Sequence, residues 1–110
     1  MSDKFTTKLG KTSKAGERTR IWIEGARLIK AGFEPGTLYR RNWDADAGRL
    51  TLRVIDQTHF DELARDEKGT VSGKGAKPII DIVGSRVRDM FGEGDTVTVE
   101  YHRHVIHISR

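Results

Sequence analysis

Apolar and polar residues alternate along this chain in short runs, and the runs come twice in the same order. Ile21 and Ile23 alternate with Trp22 and Glu24, the period-two pattern of a half-buried strand. Gly25 follows as a hinge, a short helix is predicted over Ala26 to Ala31, and Gly32 can stop it in the left-handed conformation. Glu34-Pro35-Gly36 is a turn by composition. A hairpin is predicted next, from Leu38 to Trp43 and from Arg49 to Ile55, around the loop Asp44 to Gly48. Along its second strand Leu50, Leu52 and Val54 alternate with Arg49, Thr51 and Arg53, so one face is apolar and the other polar.

The order then returns. Ile80 and Ile82 alternate on a strand, Gly84 takes the hinge position, Ser85 can cap a helix running to Phe91, and Gly92 can end it. Glu93-Gly94-Asp95 makes the turn, Val97, Val99 and Tyr101 alternate, a tight turn falls near His102-Arg103, and Val105 to Ile108 is the last strand. A constant offset of 59 aligns Ile21–Leu38 with Ile80–Val97 without a gap, and Ile21/Ile80, Ile23/Ile82, Gly25/Gly84, Arg27/Arg86, Glu34/Glu93 and Thr37/Thr96 are identical. Identities that fall at matching strand, hinge and turn positions predict a structural repeat. The remaining segments carry less pattern. Residues 1–18 read as a flexible basic arm. Residues 56–77 read as a linker, with a short helix capped by Thr58, Asp61 as its capping-box acid, and a mobile glycine-rich stretch GTVSGKGAK.

A β-α-β-β unit of about 35 residues buries too little apolar surface to stand alone. The two units, 19–55 and 78–110, must therefore share one core. The predicted fold is mostly β with short helices (β+α), a duplicated domain in which a pseudo-twofold axis relates two hairpins and two leading strands within one sheet system. This order of strand, hinge glycine, short helix, acidic turn and hairpin resembles the AbrB-like swapped-hairpin, or looped-hinge helix, DNA-binding proteins. GARLIKAGFEPGT is also similar to the matching stretch of SymE-like toxins, and VSGKGAKPIIDI resembles the second unit of mobile-element proteins that carry two copies in one chain. The resemblance covers roughly 20–54 and 78–108. It implies a barrel-like swapped-hairpin fold and DNA binding, with basic groups near the hinge and hairpins approaching the nucleic acid. Family members usually act as homodimers of single copies; here one chain would supply both halves, and a homodimer stays open.

Charge sharpens this picture once it is located. The 110 residues carry a formal +4, and Lys4, Lys8, Lys11, Lys14, Arg18 and Arg20 against Asp3 and Glu17 account for the whole excess. Lys68 to Arg88 is a second basic stretch, while Asp44 to Glu67 is acidic. Basic stretches suit a polyanionic partner. The candidate nucleic-acid contacts are Arg18, Arg20, Arg27, Lys30, Arg40 and Arg41 in the first half and Lys74, Lys77, Arg86 and Arg88 in the second, with Gly25 and Gly84 as hinges. Arginine can neutralise phosphate and also hold a guanine edge through two hydrogen bonds, whereas lysine supplies charge. The equivalent positions of Arg27 and Arg86 predict a symmetric pair of the kind half-site reading needs. Taken singly, each is better read as a solvated helix-face charge paired with an acid such as Glu24 or Asp89; taken together, the symmetric pair stands as evenly for DNA contact as against it.

Other chemistry is thin. Trp22, Trp43, Tyr39 and Tyr101 read as core or border residues, with Trp22 turned away from Ile21 and Ile23. In HRHVIH, His102 and His104 would share a strand face with His107 opposed, which is no metal site, and Asp44 and Asp46 fit a hairpin turn better than a calcium loop. No nucleophile–base pair, metal site or cofactor motif is legible, so the chain reads as a non-enzyme without cofactors. Without cysteine it has no disulfide or thiol chemistry. No apolar run approaches the roughly 18 residues of a membrane span and no secretory signal is visible, so the expected location is the cytoplasm. The leading functional expectation is a bacterial or phage DNA-binding protein, a transcriptional regulator or antitoxin-like partner in a toxin–antitoxin pair. The alternatives are a SymE-like toxin acting on RNA, by cleavage, or on the nucleoid, and a small phage-type inhibitor whose acidic segment binds a host protein.

Overall fold

The computed structural model describes residues 3–8, 10–11, 19–74, 77–92 and 96–110. Just over half of the described residues are in strands, the three α-helices among them are short, and the strands form two antiparallel sheets. The strands are β1 (Asp3–Lys8), β2 (Gly10–Lys11), β3 (Thr19–Glu24), β4 (Leu38–Asp44), β5 (Arg49–Val54), β6 (Lys68–Thr70), β7 (Ser72–Lys74), β8 (Lys77–Val83), β9 (Thr96–His102) and β10 (Val105–Ser109). The helices are α1 (Ala26–Lys30), α2 (Gln57–Glu62) and α3 (Ser85–Phe91).

Each leading strand ends at a glycine that only a residue without Cβ adopts easily. Gly25 has φ +104° and Gly84 φ +145°, so the chain leaves the sheet abruptly and enters α1 or α3. Both helices are shorter than isolated helices need and are held by one buried face, Leu28 in α1 and Val87 with Phe91 in α3. α1 ends at Lys30, a residue earlier than its sequence suggests, and Gly84 rather than Ser85 occupies the cap position of α3, where no side chain caps the helix. Gly32 follows α1 because the His104 ring lies against it: a Cβ there would come within 2.5 Å of that ring. The turn between β9 and β10 is accordingly Arg103-His104, with His104 at φ +64°, and His104 N–H donates to the Ala31 carbonyl at 2.7 Å.

The six-stranded sheet runs β1-β9-β10-β5-β4-β6 and the four-stranded sheet β2-β3-β8-β7. Both orders are palindromic if each half is taken as two arm strands, a leading strand and a hairpin. The leading strands meet at the centre of one sheet, with Trp22 directly opposite Asp81, and the hairpins meet at the centre of the other, with Thr51 opposite His107. Trp22 and Asp81 are the same position at the 59-residue offset.

This topology corrects three expectations. Residues 1–18 are not an arm throughout, because 3–8 pair with β9 from Asp3↔Tyr101 to Lys8↔Thr96 and 10–11 pair with β3. Within the glycine-rich part of the linker, 68–70 and 72–74 are likewise the edge strands β6 and β7, beside β4 and β8. α2 is capped by Asp56, whose Oδ1 accepts from His59 N–H at 2.9 Å, and not by Thr58. The ungapped offset also fails before the hairpins. Tyr39, Arg41 and Trp43 turn inward on β4 as Val97, Val99 and Tyr101 do on β9, so Tyr39, not Leu38, matches Val97. The turn predicted at Glu93 to Asp95 lies outside the described residues.

The space between the sheets holds one apolar cluster. Ile21, Ile23, Ile80 and Ile82 enter from the four-stranded sheet, Leu50, Leu52, Ile106 and Ile108 from the six-stranded one, and Leu28, Phe33, Val87 and Phe91 from the helices and their stops. Since Cβ directions alternate along a strand, burying these residues turns Arg40, Asn42, Arg49, Thr51, Arg53 and His107 out onto the opposite face of the six-stranded sheet. No helix among the described residues is long and apolar enough to cross a membrane.

Candidate nucleic-acid interface

The cations singled out in the sequence do not gather in one place. Arg18 lies outside the described residues, as does the side chain of Lys74 on β7. On the outer face of the four-stranded sheet Arg20 reaches Asp81 at 3.0 Å and lies over Trp22 at 5.2 Å, while Lys77 pairs with Glu24 at 3.5 Å. Arg41 points inward and lies over Tyr39 at 5.8 Å. Burial pushes the Tyr39 phenol above its usual range, against the pull of Arg41. Arg88 is 3.8 Å from Asp89, an exposed neighbouring pair, and Lys30 is exposed on α1.

Arg27 and Arg86, equivalent in sequence, sit in different surroundings. Arg27 lies over the Phe5 ring of β1 at 4.5 Å. Arg86 is 3.1 Å from Asp66 and lies over Trp43 at 5.7 Å, and the Trp43 indole N–H donates to the Asp66 carbonyl at 3.0 Å. Each arginine fastens its helix to an edge of the six-stranded sheet. Beside Arg86 a shallow cleft of about 280 Å³ is lined by Trp43, Ala45, Asp89 and Met90; it brings together no nucleophile and base.

The outer face of the six-stranded sheet is different. Arg40 of β4 stands directly opposite Arg53 of β5 and, on its other side, opposite Lys68 of β6. Two residues along, the row reads Asn42, Thr51, His107, Glu100 and Lys4, and Arg49 lies beyond it opposite Asp44 and Ser109. Among the described residues no carboxylate lies within ion-pair distance of Arg40, Arg49 or Arg53, and Lys68 lies over the Phe60 ring at 4.9 Å. Like charges directly opposite on paired strands are destabilising by roughly 0.2–1 kcal/mol. A row of three cations is thus held together by the fold against its own repulsion, a cost an anion would relieve.

Beside this row is a histidine pair. The ring of His102 meets that of His107 edge to face, centroids 5.5 Å apart. The sequence reading placed His107 opposite His102 and His104; the turn at Arg103-His104 instead returns His107 to the face of His102 and sends His104 against Gly32. His102 Nε2 is in a short hydrogen bond with Glu100, and Lys4 lies 3.4 Å from the same carboxylate. The His102 bond, followed by Lys4, holds Glu100 below the usual carboxylate range. Thr51 Oγ1 lies 2.9 Å from His107 Nδ1. Partial burial, then the charges of Arg49, His102 and Arg53, push His107 below its ordinary value, with Glu100 pulling the other way.

Of the predicted site residues whose side chains are described, only Arg40 belongs to this face. Arg49, Arg53, Lys68, His102 and His107 were missed, although the alternation of Arg49-Leu50-Thr51-Leu52-Arg53 already put three of the polar positions on one side. The outward positions of β4, β5, β9 and β10 carry no Trp, Tyr or Phe, and the Phe60 ring at the end of the row is covered by Lys68, so the face offers mainly charge and hydrogen bonds to a nucleic acid. Comparison with known proteins adds no relative: no family model matches the chain, and no curated protein or solved structure does.

Proposed function

We propose that this protein binds duplex DNA without catalysing a reaction, and that the outer face of its six-stranded sheet is the contact surface. The observation that carries the reading is the row Lys68, Arg40 and Arg53, three cations aligned across three strands without an acidic partner among the described residues. Lysine and arginine that neutralise phosphates displace condensed counterions, the main source of non-specific affinity for DNA. The outward positions of β4, β5, β9 and β10 carry no Trp, Tyr or Phe, and the Phe60 ring beside the row is covered by Lys68, which favours a duplex backbone over stacked single strands. On this reading the chain is an internally duplicated AbrB-like protein acting in the cytoplasm as a regulator or antitoxin-like factor. Arg27 and Arg86 anchor helices to the sheet instead of reading half-sites.

The cations lie on β4, β5 and β6, whereas the matching positions of β9 and β10 are Thr98, Val105 and Ser109. Contact is therefore one-sided, without palindromic half-sites. The test is an amide and side-chain NMR titration with a short duplex at low salt. Shifts should concentrate at Arg40, Asn42, Thr51, Arg53 and His107, leaving Trp22, Asp81 and Val83 on the opposite sheet unmoved. Shifts confined to the four-stranded sheet, or a preference for RNA over DNA, would overturn the proposal.

A further inference from the structure

We infer that His107, with Thr51, Arg49 and Arg53, forms a phosphate subsite at the centre of this face, where a DNA phosphodiester is bound together with a proton. The inference rests on the binding face proposed above and adds a specific ligand atom and a proton count. It starts from position: His107 stands opposite Thr51 at the middle of the β5–β10 pairing, where the two hairpins join. Arg53 and Arg49 are two residues to either side of Thr51 on the same face, so one neutral imidazole is flanked by two fixed positive charges.

The hydrogen bond to Thr51 permits a change of protonation. A hydroxyl can donate to an unprotonated Nδ1 or, turned about its bond, accept from a protonated one. The 2.9 Å contact therefore survives protonation, and Nε2 is the nitrogen left to donate to a phosphate oxygen. The charged and titratable groups around the ring come from three neighbouring strands besides its own. Arg49 and Arg53 face it from β5, His102 and Glu100 from β9, and Lys4 stands beyond Glu100 on β1. Glu100 is the one carboxylate among them, and it is already engaged by His102 and Lys4. Without an anion, a proton on His107 is opposed by both arginines. A phosphate seated between those arginines reverses the sign of the local field and favours the imidazolium, so binding and proton uptake are coupled.

One proton taken up on binding makes affinity rise by up to about tenfold for each unit by which the pH falls, between the bound and free values of the histidine. The experiment measures duplex affinity from pH 5.5 to 8 at fixed ionic strength for the wild type, His107→Gln and, as a control, His102→Gln. In parallel, the His107 ring resonances of the wild type are titrated with pH, with and without duplex. The expected result is an affinity about tenfold higher at pH 5.5 than at 7.5, lost in His107→Gln, with an upward shift of the His107 titration on adding DNA. Duplex binding whose pH profile is the same in His107→Gln, or a His107 titration unmoved by DNA, overturns the subsite and leaves the binding face standing. Absence of duplex binding at every pH overturns the binding face and the subsite together. The wild-type titration decides the matter even where His107→Gln fails to fold.

Discussion

Replacing Arg53 with threonine should make the protein more stable and a weaker DNA binder at once. Opposed Cβ atoms on paired strands are about 5 Å apart, and two like-charged heads that splay apart sit at about 7 Å. In a water-like dielectric that separation costs roughly 0.6 kcal/mol. Arg53→Thr removes the cost and keeps a β-branched side chain suited to a strand. We expect a gain of about 0.5 kcal/mol near 10 mM salt, falling to about half that at 0.15 M, where the Debye length is about 8 Å. For binding, one lost phosphate contact removes about 0.9 from the slope of log affinity against log salt, roughly an eightfold loss at 0.1 M. Urea unfolding at two salt concentrations and a duplex titration measure both quantities. Lower stability together with weaker binding would mean that Arg53 is a structural residue. Higher stability with unchanged binding would remove the face from the interface.

Other consequences are simpler. Leu52→Ala empties a fully buried position of the shared core and should cost about 2–5 kcal/mol, read from urea unfolding as a single transition across both sheets. Arg86→Ala breaks an exposed pair with Asp66, so stability should fall by no more than about 1 kcal/mol and duplex affinity should change less than with Arg53→Thr. The pH dependence of stability in the absence of DNA has a definite sign. His107 titrates below its ordinary 6.5 in the folded chain, so the unfolded chain takes up the proton first and stability falls as pH drops below about 6.5. Glu100 and Asp56 are held below the ordinary carboxylate values, and their contribution is lost only as pH falls below those values. A decline in urea midpoint between pH 6.5 and 5 that disappears in His107→Gln would separate the two.

What could be read from the sequence, and what could not, follows from where each signal resides. The leading strands, helices and hairpins were legible because Ile21/Ile23, Ile80/Ile82 and Leu50/Leu52 alternate with polar residues, and because Gly25 and Gly84 mark hinges. The edge strands were not. Asp3–Lys8 and Lys68–Thr70 have no apolar alternation, and their order comes from backbone hydrogen bonds to β9 and β4, partners that local sequence does not name. The same limit hid the candidate site. Arg40 and Arg53 can be placed on polar faces from alternation alone, but bringing them opposite one another with Lys68 requires the hairpin register and the β4–β6 pairing. Arg27 and Arg86 mislead for the converse reason: equal positions in sequence meet Phe5 in one half and Trp43 with Asp66 in the other.

The central claim is that a duplex lies on the face that carries Arg40 and Arg53. It is tested most directly by comparing the salt dependence of duplex affinity for the wild type and the Arg40→Thr, Arg53→Thr double variant. The account predicts steep salt dependence in the wild type and a slope about 1.8 shallower in the folded double variant. An unchanged slope, or a wild type that fails to bind duplex DNA even at 10 mM salt, would contradict it.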